Sequence, residues 1–352
     1  MNTQIFGRKT GLRVSELALG TGNFGTDWGH GANPEESRKI FDRYVEAGGN
    51  FIDTADGYQL GQSENLLGDF IAADRDYFVL ASKYTFGASA NHSISKTGNS
   101  RKNMIRSVEE SLKRLKTDYL DVYWAHMSDG QTPIEEIVHG FDDLVRAGKI
   151  LHPGFSNFPA WRIANASLLA DLRGLAPVAG IQVEYSLVER SAERELLPMA
   201  EALGLGVTFW SPLGGGLLTG KYRTELNEAS RLKTWGRVVH SEKGIRETAI
   251  LDAVEAVAKE TGAKNLHVAL AWVRQKGETL ATSAVTILGP RTVAQLDDNL
   301  AATQFTLTAA QLMQLDEASA IDLGSPHEVI RNSAPGIFGA GTGLVQARRP
   351  VA

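Results

Sequence analysis

Asp53, Tyr58, Lys83 and His126 each sit at or just beyond the end of a short apolar run: NFIDT (50–54), FVLASK (78–83) and LDVYWAH (120–126). Together these four types suit one kind of chemistry. A hydride delivered to a carbonyl carbon builds negative charge on the carbonyl oxygen, so the reaction needs a proton donor with a positive group beside it. Tyr58 is the expected proton donor. A phenol's ordinary pKa of about 10 is high for acid catalysis at neutral pH, and a neighbouring ammonium lowers it by favouring the phenolate. Lys83 is the candidate ammonium, Asp53 the counter-charge that keeps a partly buried lysine protonated, and His126 a donor that orients the carbonyl oxygen. Each residue has a plainer reading. Asp53 could cap the turn at 55–57, Lys83 could be a solvated strand end, His126 could pack beside Trp124, and Tyr58 could be ordinary loop. Their joint occurrence at the ends of apolar runs favours the chemical reading.

The C-terminal ends of strands are where a (β/α)8 barrel collects its chemistry. Short apolar runs recur here with helix-length segments between them, the alternation expected of βα units around a parallel sheet. Eight strands are predicted, at 16–20, 51–54, 78–82, 120–124, 150–155, 181–184, 206–210 and 286–288. The fold class is therefore α/β, a (β/α)8 TIM barrel. Helices carry their own punctuation: Asn33 and Pro34 open one that Gly48 stops, and Thr132 and Pro133 open another that Gly148 ends. In the latter Ile134, Ile137, Val138, Phe141, Leu144 and Val145 fall at helical spacing.

Residues 5–6 and 12–14 flank a glycine-containing turn and are expected to form a hairpin that plugs the barrel's bottom. Between the seventh and eighth strands there is room for two helices and a long loop, 218–244, expected as a lid over cofactor or substrate. An extra C-terminal helix is expected at 308–318. The stretch APGIFGAGTG (334–343) is too rich in glycine to fold by itself, so 334–352 is read as a tail that docks over the site or stays mobile. No repeat or linker interrupts the chain, and residues 1–352 are read as one barrel domain.

Composition narrows the function further. A net charge of −5 without a dense block of lysine and arginine argues against a nucleic-acid partner. The chain has no cysteine, which excludes disulfides, a thiol nucleophile and a thiolate metal site. The N-terminus lacks the apolar core of a secretion signal, and no apolar stretch reaches membrane-spanning length, so a cytoplasmic protein without a membrane partner is expected.

Gly20 to Gly25 reads GTGNFG and satisfies G-x-G-x-x-G directly after a predicted strand. In a dinucleotide-binding Rossmann unit that loop opens straight into a helix. Here TDWGHGAN intervenes before Pro34, and Asp53 lies beyond the roughly 20-residue spacing of that fingerprint. GTGNFG is therefore the loop after the first barrel strand. None of the tyrosines forms a Tyr-x-x-x-Lys pair, which removes the short-chain dehydrogenase variant.

FIDTADGY (51–58), LASKY (80–84), WAHMSD (124–129), GFSNF (154–158), IQVEYS (181–186), FWSPLGGGLLTGKY (209–222) and ILGPRTVAQLDDN (287–299), in that order, resemble the aldo-keto reductases over almost the whole chain. The resemblance implies that Asp53, Tyr58, Lys83 and His126 are that family's tetrad. It also implies a nicotinamide cofactor, NADPH (NADP+), extended across the barrel mouth. Ser156, Asn157 and Gln182 would hold the carboxamide, and Trp210 would stack on the nicotinamide ring. Ser211, Pro212, Leu213, Gly214, Gly215 and Gly216 would wrap the pyrophosphate with Lys221, joined by Arg231 from the long loop. Gly20, Thr21, Gly22 and Asp53 belong to the same cofactor wall. Gly289, Arg291, Gln295, Asp298 and Asn299 would take the adenosine end. Gly289 stands where many relatives carry lysine, which leaves Arg291 as the obvious cation for a 2′-phosphate. Trp28, Tyr84 and Trp124 are expected to line an aromatic substrate pocket, with substrate loops at 86–100 and around Trp235. No metal is expected.

The resulting expectation is an NADPH-dependent reductase of aldehydes or ketones, reversible as an alcohol dehydrogenase, acting on a small carbonyl or alcohol. The oligomeric state stays open. One alternative is a regulatory cofactor-binding subunit similar to potassium-channel β subunits, which look to carry asparagine where His126 stands, so the imidazole argues for the enzyme. Another is a metal-dependent barrel isomerase. Beyond Asp53, His126 and Glu184 the strand ends supply too few ligands for it.

Overall fold

A computed structural model describes residues 1–91, 93–224, 240–242 and 244–339. Two short strands, β1 (Thr3–Ile5) and β2 (Arg13–Ser15), pair antiparallel ahead of a closed parallel barrel. The barrel is built from β3 (Leu17–Gly20), β4 (Phe51–Asp53), β5 (Val79–Tyr84), β6 (Leu120–Ala125), β7 (Ile150–Ser156), β8 (Gly180–Glu184), β9 (Gly206–Trp210) and β10 (Ala284–Leu288). All eight expected strands are present, and β10 closes the ring against β3.

The helices start where the sequence punctuates them. Asn33 caps α1 (Pro34–Glu46) by accepting from the Glu36 amide, with proline in the first turn where its missing N–H costs nothing. Helices α2 (Gln62–Ile71), α3 (Arg101–Leu115) and α4 (Ile134–Arg146) follow. In α4 the helical spacing buries Ile134, Ile137, Val138, Phe141 and Leu144 on one stripe. GTGNFG is a loop, since Gly20 ends β3 and the next helix opens only at Pro34.

Side chains alternate across each strand, and this parity decides what faces the barrel's axis. Phe51, Val79, Ala81, Val122, Trp124, Val285 and Ile287 fill the interior together with Phe6 from the hairpin turn. The Phe6 ring lies 5.8 Å from Phe51 and 6.3 Å from Trp124, both edge to face. A Cβ on Gly180 or Gly206 would stand 2.7 Å from that ring. Glycine at these two positions makes room for the plug, so the hairpin closes the bottom as expected.

The predicted extra helix is present at Ala309–Ser319, with Thr308 and Gln311 forming a reciprocal capping box. The reading of 334–343 needs correction over 334–338. A helix spans His327–Phe338 and runs through Pro335 and Gly336 without burying any residue. Proline inside a helix removes one backbone bond but does not forbid the turns on either side. Residues 340–352 lie outside the described residues. Among the described residues no helix is long and apolar enough to cross a membrane.

Candidate active site

The parity that sends Phe51 and Val79 inward also sends Asp53 and Lys83 inward, nearer the mouth. Asp53 is in register with Ala81, and Lys83 with Trp124. Lys83 is fully buried. Its ammonium contacts an Asp53 carboxylate oxygen, and it donates to Thr54 O at 2.7 Å and to Tyr58 Oη at 3.1 Å. The other Asp53 oxygen accepts from Gln182 Nε2 at 2.8 Å, across the barrel. The Tyr58 ring meets the Trp28 indole with centroids 6.1 Å apart and the His126 imidazole at 5.9 Å, edge to face in both cases. The four tetrad candidates therefore form one cluster.

Burial raises the Tyr58 phenol above its ordinary value, because desolvation outweighs the lowering by the Lys83 ammonium. This corrects the expectation that lysine would bring the phenol down. For Lys83 itself, burial disfavours the charge, but Asp53 and Tyr58 together outweigh it, and the amine is held above its usual range. Burial, assisted by Lys83, holds His126 well below the ordinary histidine range. At neutral pH the cluster thus contains a neutral phenol, an ammonium and a neutral imidazole whose Nδ1 has no hydrogen-bond partner among the described residues.

Above the cluster opens a cavity of about 810 Å³. Gly20, Gly22, Asp53, Asn157, Gln182, Trp210, Ser211, Pro212, Leu213, Gly215, Lys221, Gly289, Arg291, Gln295, Asp298 and Asn299 all line it. Asn157, in the left-handed region at φ 55, grips His126 O and Ser156 Oγ, each at 3.0 Å, and its Oδ1 accepts from Trp210 Nε1 at 3.2 Å. The orientation of the Trp210 indole is thereby fixed. Gly214, Gly215 and Gly216 all have positive φ (55, 66 and 96), a curl available to glycine that bares the backbone beside Lys221. Farther along, the Arg291 amide is held by Gln295 Oε1 at 2.9 Å, and Asp298 pairs with Lys264 at 2.6 Å. Among the described residues the Arg291 guanidinium forms no ion pair.

Several expected positions are not on this wall. Tyr84 has the opposite parity to Lys83, so it faces the helices, stacks on Tyr123 at 5.4 Å and is fully buried. Trp124 has inward parity but packs beside Phe6, fully buried, with Gly154 leaving space for its ring. Neither lines the substrate pocket. Thr21, Ser156 and Gly214 are buried behind the rim rather than on it. Arg231 and Trp235 lie outside the described residues. Trp28 does line the cavity, joined by residues the sequence reading did not single out: His30, Leu60, Met127 and Tyr222. Phe86, at the start of the expected substrate loop, packs edge to face on His126 at 5.0 Å.

A barrel with this mouth defines a family. The chain belongs to the aldo/keto reductase family, whose model matches residues 16–320, and it is an NAD(P)H-dependent oxidoreductase. It is 38% identical to an uncharacterized oxidoreductase of Bacillus subtilis, over 88% of this chain and 93% of that protein. It is 36% identical to an aryl-alcohol dehydrogenase [NADP(+)] of Phanerodontia chrysosporium, over 90% and 86% of the two chains. Identity to a norsolorinic acid reductase of Aspergillus flavus is 32%, over 92% and 82%.

Proposed function

We propose that the protein uses NADPH to reduce aldehydes or ketones to alcohols, reversibly, with Tyr58 as the proton donor. The single observation that carries this reading is the Lys83 ammonium, which contacts Asp53 and Tyr58 Oη from a fully buried position. A bound dihydronicotinamide supplies the hydride. The chain's residues do the rest. Tyr58 holds its proton through neutral pH because burial raises the phenol, so it remains an acid until a carbonyl oxygen beside it gathers charge. Lys83 then faces the tyrosyl oxygen left behind and compensates its charge. His126, kept neutral, still carries one N–H to direct at the carbonyl oxygen.

The residues present fit a dinucleotide. The glycine curl at 214–216 beside Lys221 suits a pyrophosphate, the fixed Trp210 indole suits stacking by a flat ring, and Asn157 and Gln182 offer amides near the tetrad. Arg291, on the wall and without an ion-pair partner among the described residues, suits a 2′-phosphate. The NADP(+) in one relative's name supports the same choice. Trp28 and Phe86 flank the tetrad with aromatic faces, and the relatives named for aryl alcohols support an aromatic carbonyl as the substrate class. The test is a panel of aromatic and aliphatic aldehydes and ketones scored by loss of NADPH absorbance. Turnover of aromatic members is expected, and inactivity on every member would refute the reading.

A further inference from the structure

The turn that carries Tyr58 and the loop that carries Phe86 meet backbone to backbone. A Cβ on Gly57 would stand 3.2 Å from Gly87 O and 3.6 Å from Phe86 Cβ. One side chain ties them. Asp56, 1% exposed, accepts from the Gly87 amide on Oδ2 at 3.2 Å, while its own amide donates to Lys83 O at 3.1 Å. Its Oδ1 is buried without a hydrogen-bond partner among the described residues. Gly87 has φ +76, and Phe86 and Gly87 both line the cavity.

We propose that Asp56 is a positioning residue for substrate binding. Its carboxylate, by holding the Gly87 amide, sets Phe86 in the substrate wall, and substrate affinity falls when that carboxylate takes up a proton. This rests on the carbonyl-reductase reading of the cavity. The physical basis is that a hydrogen bond to an ionised acceptor is roughly twice as strong as one to a neutral acceptor.

The groups facing Asp56 bring that protonation into the working range. Burial, with the nearby Glu64 of α2, pushes the carboxyl up to about 7, against the opposing Arg114 of α3. Glu64 is itself occupied, accepting from Arg114 at 2.7 Å and from Ser82 at 2.6 Å. Tyr123 of β6 and Tyr58 also lie within its field, both raised by burial and held neutral. His126 is kept neutral by burial and Lys83, so it supplies no competing ionisation near neutrality.

Steady-state kinetics from about pH 5.5 to about pH 8.5, bracketing the Asp56 transition, test this in the wild type, Asp56→Asn and Phe86→Ala. For the wild type, KM for the best carbonyl should rise about three- to tenfold as pH falls through neutrality, with kcat changing far less. Asp56→Asn keeps an acceptor for Gly87 but cannot titrate, so its KM should be flat with pH. Phe86→Ala removes the wall being positioned, so its KM should be high and flat. Hydrogen exchange of the 86–90 segment without substrate gives an independent readout: protection, corrected for intrinsic rates, should fall with pH in the wild type but not in Asp56→Asn. A pH-invariant wild-type KM, or an Asp56→Asn variant that keeps the wild-type profile, would overturn the proposal. If no carbonyl is turned over, the reductase reading fails and the exchange comparison alone decides the Asp56–Gly87 tie.

Discussion

Replacing Lys83 by methionine removes the central charge of the cluster while keeping much of the side chain's volume, and it should cost stability as well as turnover. The ammonium is fully buried, Asp53 is 3% exposed, and after the change, among the described residues, only Gln182 still donates to that carboxylate. Removing one partner of a buried ion pair strands the other charge and costs about 3–5 kcal/mol. The surviving Gln182 bond argues for the lower half of that range. Urea unfolding of wild type and Lys83→Met measures it. The double variant Lys83→Met/Asp53→Asn should recover much of the deficit, since neither buried charge remains. A loss that Asp53→Asn fails to relieve would show that the pair is not the coupled unit described.

Three further outcomes are expected. Arg291→Leu should weaken NADPH by roughly ten- to a hundredfold, the worth of charged hydrogen bonds at about 1.5–3 kcal/mol, and barely change NADH. Titration of both cofactors against tryptophan fluorescence measures this, and equal losses would make Arg291 a structural residue. Gly180→Ala places a Cβ 2.7 Å from the Phe6 ring and 2.6 Å from Gly206 O, so overpacking should cost about 1–3 kcal/mol in urea unfolding. An unchanged midpoint would contradict the plug. Trp28→Ala should raise KM for an aromatic carbonyl more than for an aliphatic one, because it removes one of the two aromatic faces beside the tetrad. Equal changes in KM for the two classes would remove Trp28 from the substrate wall.

Much of the barrel was legible because short apolar runs and helix punctuation are local signals. Asn33 with Pro34, and Thr132 with Pro133, mark helix starts that the structure keeps. The errors came from reading proximity in sequence as exposure to the mouth. Tyr84 follows Lys83, and strand alternation alone turns it outward. Trp124 precedes His126 by two residues and has the correct face, but its depth depends on where the Phe6 plug ends, which no strand pattern reveals. The upward shift of the Tyr58 phenol depends on how completely the cluster is buried, a property of the whole barrel. Met127 reaches the cavity from a loop, and Leu60 and Tyr222 from short helical turns, whose course no periodicity encodes. In the case of Asp56, the FIDTADGY stretch showed an acid beside the tetrad, while its tie to Gly87 emerges only from the apposition of two loops.

The central claim is that Tyr58 gives up the proton, and Tyr58→Phe tests it most directly, since the change deletes one hydroxyl and leaves the ring beside Trp28. Single-turnover reduction of the best carbonyl by bound NADPH, with NADPH affinity measured alongside, is the decisive experiment. A loss of about 10²–10⁴-fold in the reduction rate with cofactor affinity nearly unchanged is the expected result. Wild-type turnover in the variant, or a loss explained wholly by weaker NADPH binding, would contradict it.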